Sequence, residues 1–312
     1  MSIKLGVLGL SEGNGHPYSW SAIFNGYNPE FMELCGFPVI PRYLELQQWP
    51  ESRISRAEVV SVWTQDEKLS QMIAKAANIS KVVPIPEAMI GEVDAVLLAR
   101  DDAECHLKFA APFLKAGLPI YIDKPIALSM ADLEKLYELE QYPGQIFTCS
   151  ALRFSQELML SQQDREKIGE IRKIVAFTPK SWNKYAVHII EPVLNMLPES
   201  DQPVSFSGGV VNRLHDNTPG SLLVDWRSGI QTAFFAVGDG VSPISIRVVG
   251  TRGFKDLVFS DSFNAFKTAL EMFLEGVWNQ SVTSPRSFNE LVVQLLERGG
   301  HDSDNYDYGR NR

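Results

Sequence analysis

Short apolar runs alternate with helix-forming segments over the first 150 residues of this 312-residue chain. The runs lie at 4–10, 58–62, 93–99, 118–122 and 146–150. The run at 93–99 (VDAVLLA) is almost wholly apolar, as expected of a strand with both faces covered. This alternation predicts a doubly wound parallel sheet in the α/β class. The segment 27–57, with four prolines, breaks the alternation, and we expect it to be irregular.

The chain changes character after residue 150, where predicted strands with Gly, Asp and Ser in their turns dominate. Strands are predicted at 172–177, 204–212, 221–226, 231–237 and 244–249. Helices are predicted at 156–168, 187–196, 263–278 and 288–297. This pattern predicts an open, mainly antiparallel sheet with helices on one face. We therefore expect a first domain at 1–150, a second at 151–300 and a polar tail at 301–312.

The charge balance limits the classes of partner. The chain has 29 Lys and Arg against 38 Asp and Glu, a net charge of −9. This acidic balance argues against a nucleic-acid-binding face, which needs clustered basic residues. No apolar stretch approaches the roughly 18 residues of a membrane span, and we see no signal peptide. We expect a cytoplasmic protein with a small-molecule partner.

The cysteines and histidines give no metal signature. Cys35, Cys105 and Cys149 are widely spaced and odd in number, so they form neither a disulfide framework nor a CxxC pair. No cluster of His, Cys and acidic residues has metal-ligand spacing. The sequence therefore predicts no metal site.

A glycine-rich turn follows the first predicted strand and precedes a helix that begins near residue 17. Such a turn lets the backbone approach dinucleotide phosphates, and the helix N-terminus adds N–H groups and partial positive charge. The spacing is G-x-x-x-G-x-G rather than G-x-G-x-x-G. A plain turn that needs glycine for positive φ is the alternative. The candidate cofactor-binding residues here are Gly9, Ser11, Glu12, Gly13, Asn14 and Gly15.

The carboxyl end of the second strand is where a ribose-binding acid is expected in an NAD-binding sheet. Thr64 holds that place, with Gln65 and Asp66 behind it. Thr64 lacks the negative charge that binds the 2′-hydroxyl of NAD and repels the 2′-phosphate of NADP, so both cofactors stay open. Asp66 is either a helix cap or a ribose ligand. Thr64 and Gln65 are candidate cofactor-binding residues.

A lysine stands directly after the predicted strand 118–122, in the run Asp123-Lys124-Pro125. Ligands bind at the carboxyl ends of strands in such sheets, and a lysine there could donate to an alcohol or carbonyl oxygen. A solvated lysine is the alternative. The preceding strand ends in a loop where Arg100 either meets a phosphate or pairs with a neighbouring aspartate. There, Asp101 or Asp102 is expected to cap the next helix, and Asp101 and Glu104 have the spacing of a capping box.

The run DAVLLARDDAECHLKFAAPFLKAGLPIYIDKPIALSMADLEKL resembles the Gfo/Idh/MocA family of NAD(P)-dependent oxidoreductases, which act mostly on sugars and cyclitols. The family's usual Glu-Lys-Pro is Asp123-Lys124-Pro125 here. The segments GEIRKIV, SIRVVGTRGFKDLVF and FKTALEMFLEGVW, and the helix around His188, extend the resemblance over essentially the whole chain. It implies a Rossmann domain followed by an α/β domain with an open, mainly antiparallel sheet. It also implies a homo-oligomer, a dimer or tetramer.

The resemblance assigns roles to particular residues. Lys124 would be the catalytic lysine, and His188 the proton-transfer residue on a helix of the second domain. Glu191 would be the acid three residues after that histidine. Lys184 stands where the family commonly has an aspartate, and Tyr185 could donate a hydrogen bond in its place. On the sequence alone, a lone histidine in an apolar run is more often a core residue.

The remaining candidates complete the expected site. Those expected near the cofactor are Ala99, Arg100, Asp101 and Asp123. Those expected to line the substrate are His16, Lys184 and Trp182. The resemblance implies hydride transfer between NAD or NADP and a hydroxyl- or carbonyl-bearing carbon of a sugar-like substrate. The departures at the glycine turn, Thr64 and Lys184 leave a second interpretation, a degenerate member that binds a sugar or nucleotide without turnover.

Overall fold

A computed structural model describes residues 2–210 and 218–300, which form two compact units. The first contains the described residues up to Ala127, together with Ala131–Cys149 and Ser262–Asn289. The second contains the other described residues. The predicted tail at 301–312 lies outside the described residues, and the domain boundary at 150 stays a prediction.

A six-stranded sheet with only parallel strand pairs forms the centre of the first unit, in the order β3-β2-β1-β4-β5-β6. The strands are β1 (Ile3–Leu8), β2 (Ala57–Trp63), β3 (Lys81–Val82), β4 (Ala95–Leu98), β5 (Ile120–Ile122) and β6 (Ile146–Phe147). The predicted doubly wound parallel sheet is confirmed, with β3 as an unpredicted addition. Strand order reverses beside β1, and a crevice for ligands is expected outside the carboxyl ends of β1 and β4.

Helices and aromatic residues cover this sheet. The helices are α1 (His16–Asn25), α2 (Pro29–Met32), α3 (Val39–Glu45), α4 (Glu67–Ala76), α5 (Ala103–Lys115), α6 (Met130–Tyr137) and α10 (Ser262–Asn279), with a 3₁₀ turn at Pro86–Met89. Helix α10 comes from late in the chain, and its Phe273 packs against Tyr121 and Phe147 at 5.7 and 5.6 Å between ring centroids. The first unit therefore draws its core from distant parts of the sequence.

Two sequence predictions about this unit are wrong in detail. The segment 27–57 is not irregular, because it contains α2 and α3. Its prolines help to begin helices: Pro29 follows the capping side chain of Asn28, and Pro38 precedes α3. The capping box at Asp101 does not form, because α5 begins after Asp102 without a side-chain cap.

The second unit is built on a mixed sheet in the order β12-β11-β7-β10-β9-β8. The strands are β7 (Ile171–Thr178), β8 (Pro203–Val210), β9 (Gly220–Trp226), β10 (Gln231–Ala236), β11 (Ser245–Gly250) and β12 (Phe254–Val258). All pairs are antiparallel except β7 with β10. The predicted mainly antiparallel sheet is confirmed. Strand β12 was not predicted, and residues 211 and 212 of the predicted strand 204–212 lie outside the described residues.

Helices of this unit lie against one side of the sheet. They are α7 (Gln162–Ile168), α8 (Trp182–Tyr185), α9 (Val187–Leu194) and the later part of α11 (Arg286–Gly300), with 3₁₀ turns at Ala151–Phe154 and Gln156–Leu158. The predicted helix 156–168 is thus split. The opposite side carries alternate exposed residues, among them Lys173, Phe177, Leu223 and Arg247. Among the described helices, none is long and apolar enough to cross a membrane.

Candidate functional site

The glycine-rich turn joins the carboxyl end of β1 to α1, and its glycines differ in role. A side chain at Gly9 would collide with Pro17, and one at Gly15 would come within 2.5 Å of Ile40. These two glycines allow close packing. Gly13 has φ +77 and no atom within 4 Å of the place where a Cβ would stand.

The open side of this turn offers backbone donors. The N–H groups of Glu12 and Gly13 donate to no residue in the described part of the chain. Free backbone donors beside an open glycine, just before a helix begins, suit the diphosphate of a dinucleotide. The residues present therefore fit the expected cofactor.

A clamp of side chains holds the start of the turn. The Gln65 amide donates to the Leu10 carbonyl at 2.8 Å, and its oxygen accepts from the Leu10 N–H at 3.2 Å. Arg100 donates from Nη1 to that carbonyl and to the Gln65 oxygen, and from Nε and Nη2 to Asp102. Arg100 thus pairs with an aspartate, and its contact with a phosphate stays a prediction. Gln65 and Arg100 therefore hold the backbone of Leu10 at the start of the turn.

Thr64 and Asp66 both serve to begin α4. Thr64 is buried, and its hydroxyl donates to the Asp66 carbonyl at 2.6 Å and lies 2.9 Å from the Ser70 hydroxyl. The Asp66 carboxylate accepts from the Lys68 N–H at 2.8 Å. Of the alternatives for Asp66, helix cap and ribose ligand, the structure has the cap.

A buried aspartate ties the turn to the end of β5. Asp123 is 1% exposed and accepts from Asn14 Nδ2 at 2.8 Å, from His16 Nδ1 at 2.5 Å and from the Lys124 N–H at 2.8 Å. Burial alone would raise the pKa of Asp123. The charges of His16 and Lys124 and the hydrogen bonds from His16 and Asn14 outweigh it, so the pKa lies below its usual value. Asp123 is therefore ionised at neutral pH.

Lys124 is buried rather than solvated, with 6% of its surface exposed. Its Nζ lies 3.7 Å from Asp101 Oδ2, and the other oxygen of Asp101 accepts from the Ser11 hydroxyl at 2.7 Å. The Asp101 N–H donates back to the same hydroxyl at 3.0 Å. The structure thus brings together five predicted residues, which we call the turn network: Ser11, Asn14, Asp101, Asp123 and Lys124.

A buried histidine joins the loops that carry the turn network. The ring nitrogens of His106 lie 2.8 Å from the Arg100 carbonyl and 2.9 Å from the Ile126 carbonyl. Ala99, at the end of β4, is buried and donates its N–H to the Leu8 carbonyl. These contacts hold the loops after β1, β4 and β5 in one place.

His16 begins α1 and sits in an aromatic stack. Its ring stacks on Trp20 at 4.8 Å and meets Phe266 edge-on at 5.0 Å, and Trp20 in turn stacks on Tyr121 at 4.6 Å. The His16 N–H also donates to the Asn14 side chain at 2.8 Å. His16 therefore orients Asp123 while remaining partly exposed.

His188 lies on α9 in the second unit, and a serine holds its ring. His188 Nδ1 is 2.8 Å from the Ser150 hydroxyl, and the Ser150 N–H donates to Glu191 Oε1 at 2.7 Å. We call Ser150, His188 and Glu191 the serine–histidine cluster. Burial raises the pKa of Glu191 to about 8 despite the opposing influence of Arg153 and of the Ser150 N–H. At neutral pH, Glu191 is therefore mostly a neutral carboxylic acid.

The other predicted residues on α8 take different positions. The Tyr185 ring meets His188 edge-on at 5.1 Å, and its hydroxyl lies 2.5 Å from Lys180 Nζ. Lys184 is exposed. Trp182 does not line a substrate surface: it is 1% exposed, packs against Gly299 and donates from its indole to the Leu296 carbonyl at 2.9 Å. Its size and its satisfied N–H make it a core residue.

Two contact residues of this region were not predicted. Ser150 closes a predicted strand, and a polar residue at a strand's carboxyl end was the available signal. Lys180 carries no sequence signal, because a surface lysine before a helix is unremarkable in composition and spacing. In the described residues, there is no group of three or more His, Cys, Asp or Glu that could hold a metal ion.

A family model matches part of the chain. Residues 34–150 match the sequence profile of the Gfo/Idh/MocA oxidoreductase family, which has an NAD-binding Rossmann fold. The resemblance to this family is thereby confirmed over residues 34–150. The match begins after the glycine-rich turn, which is where the sequence departs from the usual glycine spacing. The expected nicotinamide cofactor agrees with the family's description.

A curated relative matches a similar length of the chain. It is the "Putative UDP-kanosamine synthase oxidoreductase subunit" of Amycolatopsis mediterranei (strain S699), 26% identical over 117 residues. The match covers 38% of this chain and 32% of the relative. The chain thus spans about a third of the length of the curated relative that it matches.

Solved structures share the fold over nearly the whole chain. The apo scyllo-inositol dehydrogenase from Lactobacillus casei has a TM-score of 0.71 at 14% identity, covering 96% of each chain. That enzyme has also been solved with NAD(H) and scyllo-inositol bound. The UDP-N-acetylglucosamine 3-dehydrogenase from Acidithiobacillus ferrooxidans has a TM-score of 0.68 at 15% identity, covering 96% of this chain and 97% of that one. The predicted two-sheet fold is therefore confirmed.

Proposed function

We propose that this protein is an NAD(P)-dependent oxidoreductase that transfers a hydride to or from a carbon of a sugar, cyclitol or related substrate. The observation that carries the proposal is Lys124, buried beside Asp101 at the carboxyl end of β5 and tied through Ser11 to the glycine-rich turn. A buried lysine held in one place at this edge of the sheet is suited to a reacting oxygen. The cofactor, when bound, supplies the hydride chemistry.

The chain's own groups would position the reactants. The Glu12 and Gly13 N–H groups would bind the dinucleotide phosphates. Lys124 would donate to the substrate oxygen, with Asp101 orienting its ammonium group. The family resemblance gives His188 the proton-transfer role, a common one for a histidine side chain. Thr64 and Asp66 make hydrogen bonds at the start of α4 and do not distinguish the ribose of NAD from that of NADP. Both cofactors are therefore retained as candidates.

The first test is a thermal-shift titration with NAD⁺, NADH, NADP⁺ and NADPH. A ligand that binds only the folded state adds about 2.7 kcal/mol of stability at a hundredfold excess over its Kd. We expect a concentration-dependent rise with one oxidised and reduced pair. No shift with any of the four, in protein free of bound nucleotide, would contradict the cofactor site.

The second test is hydride transfer to a panel of sugars and cyclitols, followed by nicotinamide absorbance. We expect Lys124→Ala to abolish turnover while it keeps the fold and the thermal shift. Lys135→Ala, which removes an exposed lysine on α6, is the matched control and should be fully active. Full activity of Lys124→Ala would overturn the proposed role.

A second candidate is a degenerate family member that binds a sugar or nucleotide without turnover. Two features favour it: the exposed lysine at position 184, where the family commonly has an aspartate, and the burial of Glu191, which raises the pKa of that side chain to about 8. A thermal shift with nucleotide and sugar, but no absorbance change with any substrate, is the result that would select it.

We also propose a homo-oligomer, as the resemblance implies, formed through the exposed side of the second sheet. Phe177 and Phe235 stack there at 5.2 Å, and Leu223 on the same side is 47% exposed. Apolar patches of this kind mark interfaces in soluble proteins. Light scattering should give a dimer or tetramer for the wild type and a monomer for Leu223→Asp. The control Val241→Asp, at an exposed loop residue, should not change the mass.

We propose a cytoplasmic location and no nucleic-acid binding, and the net charge of −9 supports the second statement. Cell fractionation tests the first. A mobility-shift assay with duplex DNA and with RNA tests the second, and we expect no retarded band at physiological salt.

A further inference from the structure

Ser150 is fixed at both ends of its backbone. It is buried, its N–H donates to Glu191 Oε1 at 2.7 Å, and its carbonyl accepts from the Arg153 N–H at 3.0 Å. With the backbone fixed, the contacts of Oγ itself decide where the hydroxyl points. The contact between Ser150 and His188 therefore belongs to the folded structure of the second unit.

The hydroxyl of Ser150 has two polar neighbours among the described residues. The Leu152 N–H donates to Oγ at 3.3 Å, and His188 Nδ1 lies 2.8 Å away. A serine hydroxyl has one proton and two lone pairs, and a backbone N–H cannot accept. Nδ1 is thus the acceptor that the described residues offer to the Ser150 proton.

We propose that Ser150 donates to Nδ1 and thereby holds neutral His188 in the tautomer that carries its proton on Nε2. The opposite tautomer would point Nδ1–H at the serine oxygen and leave the buried hydroxyl proton without an acceptor, which is unfavourable. Ser150 is therefore a positioning residue that acts through His188.

The tautomer changes what His188 can do, and this part rests on the proposed function. With its proton on Nε2, the neutral ring can donate a hydrogen bond to a substrate oxygen, but it cannot accept that oxygen's proton at Nε2. In this tautomer, His188 offers a hydrogen bond from Nε2 to the substrate oxygen, and the proton-transfer role that the resemblance implies requires either the doubly protonated ring as the acid or a change of tautomer.

Nitrogen NMR of the full chain labelled with ¹⁵N-histidine tests this directly. Long-range ¹H–¹⁵N correlations distinguish protonated from unprotonated ring nitrogens, and His188 is assigned by the signal that His188→Gln removes. We expect an unprotonated Nδ1 and a protonated Nε2 near neutral pH. Ser150→Ala should lose this single pattern and show averaged signals, whereas Ser150→Thr, which keeps a hydroxyl, should restore it.

Ser155→Ala is the matched control, because Ser155 is also buried but donates to Glu157. It should leave the His188 signals unchanged. A protonated Nδ1 in the wild type, or an unchanged pattern in Ser150→Ala, would overturn the proposal. The wild-type spectrum decides the tautomer even where Ser150→Ala fails to fold. Because no substrate is needed, the expected pattern without any hydride transfer would contradict only the proposed function.

Discussion

Two buried carboxyl groups, one in each unit, have pKa values that are shifted in opposite directions. Asp123 in the turn network has two positively chargeable neighbours and three hydrogen-bond donors, and its pKa lies below the usual value. Glu191 in the serine–histidine cluster has one backbone donor to Oε1, and its Oε2 has no hydrogen-bond partner among the described residues. Its pKa rises to about 8.

The comparison shows that burial does not decide the charge of a carboxyl group. Both side chains are at most 4% exposed, so both lose nearly all contact with water. The number of hydrogen-bond donors and nearby cations decides whether the ionised form is stabilised enough to offset the loss of water. The first unit therefore holds a fixed negative charge at the end of β5, and the second holds a neutral acid on α9.

Matched amide substitutions give the largest expected difference between the two groups. We expect Asp123→Asn to cost about 3–5 kcal/mol, because the variant removes the charge that balances buried partners. Glu191→Gln at pH 6 should cost less than about 1 kcal/mol, because it replaces a neutral acid with a neutral amide. Urea unfolding of both variants measures the difference. Equal losses of unfolding free energy in the two variants would contradict the difference in charge between Asp123 and Glu191.

The pH dependence of stability sharpens the contrast. The folded-state pKa of Glu191, about 8, lies above the ordinary unfolded value, so the folded state binds more protons between the two. Its contribution is complete below about pH 4 and is lost as pH rises to about 8, at roughly 1.4 kcal/mol per pH unit. The unfolding free energy of wild type minus that of Glu191→Gln should fall across this window and level off above it. A flat difference would mean that Glu191 is ionised throughout.

Removing a single donor from Asp123 should have a smaller effect. Asn14→Ala deletes the Nδ2 donor and the cap on the His16 N–H, and we expect a loss of about 1–3 kcal/mol. Asn279→Ala, which removes an exposed amide at the end of α10, is the control and should be close to wild type. Chemical unfolding measures both. A loss no larger than that of the control would show that His16 and Lys124 alone keep Asp123 ionised.

The smallest expected effect on substrate binding concerns Trp182. Trp182→Phe keeps most of the buried ring but loses the hydrogen bond to Leu296, which should cost about 1–3 kcal/mol. If Trp182 is a core residue, the KM for any accepted substrate should not change. Trp278→Phe, at a 55% exposed position, is the control. A large rise in KM for Trp182→Phe alone would restore its predicted place beside the substrate.

Much of the fold could be predicted because buried parallel strands have a distinctive sequence. β1, β4 and β5 are short and apolar, and all three are present where predicted. β3 has two residues, which is too short for any pattern. β12 (FKDLV) mixes charged and apolar residues without alternation over five positions, which does not separate it from a turn. The parallel pairing of β7 with β10 depends on contacts between distant segments, which no local pattern encodes.

The sequence indicated which residues belong to the site better than it indicated which of them contact each other. Asn14 and Asp123 were named because each lies where a strand meets a helix or loop, but nothing in their spacing indicated that they bond to each other. Gln65 and Arg100 were expected at the cofactor, whereas their hydrogen bonds hold Leu10. Side-chain direction at a strand end depends on the neighbouring strand, so it appears only once the sheet is formed.

The late position of α10 in the chain has a consequence for synthesis. Phe263 of this helix packs against Tyr43 and Trp49, and Phe273 packs against Tyr121 and Phe147. A ribosome adding about 5–20 residues per second needs roughly ten seconds to travel from β6 to α10. Throughout that interval the aromatic side chains of the nascent first unit lack their cover, and they are the surface that a chaperone would meet first.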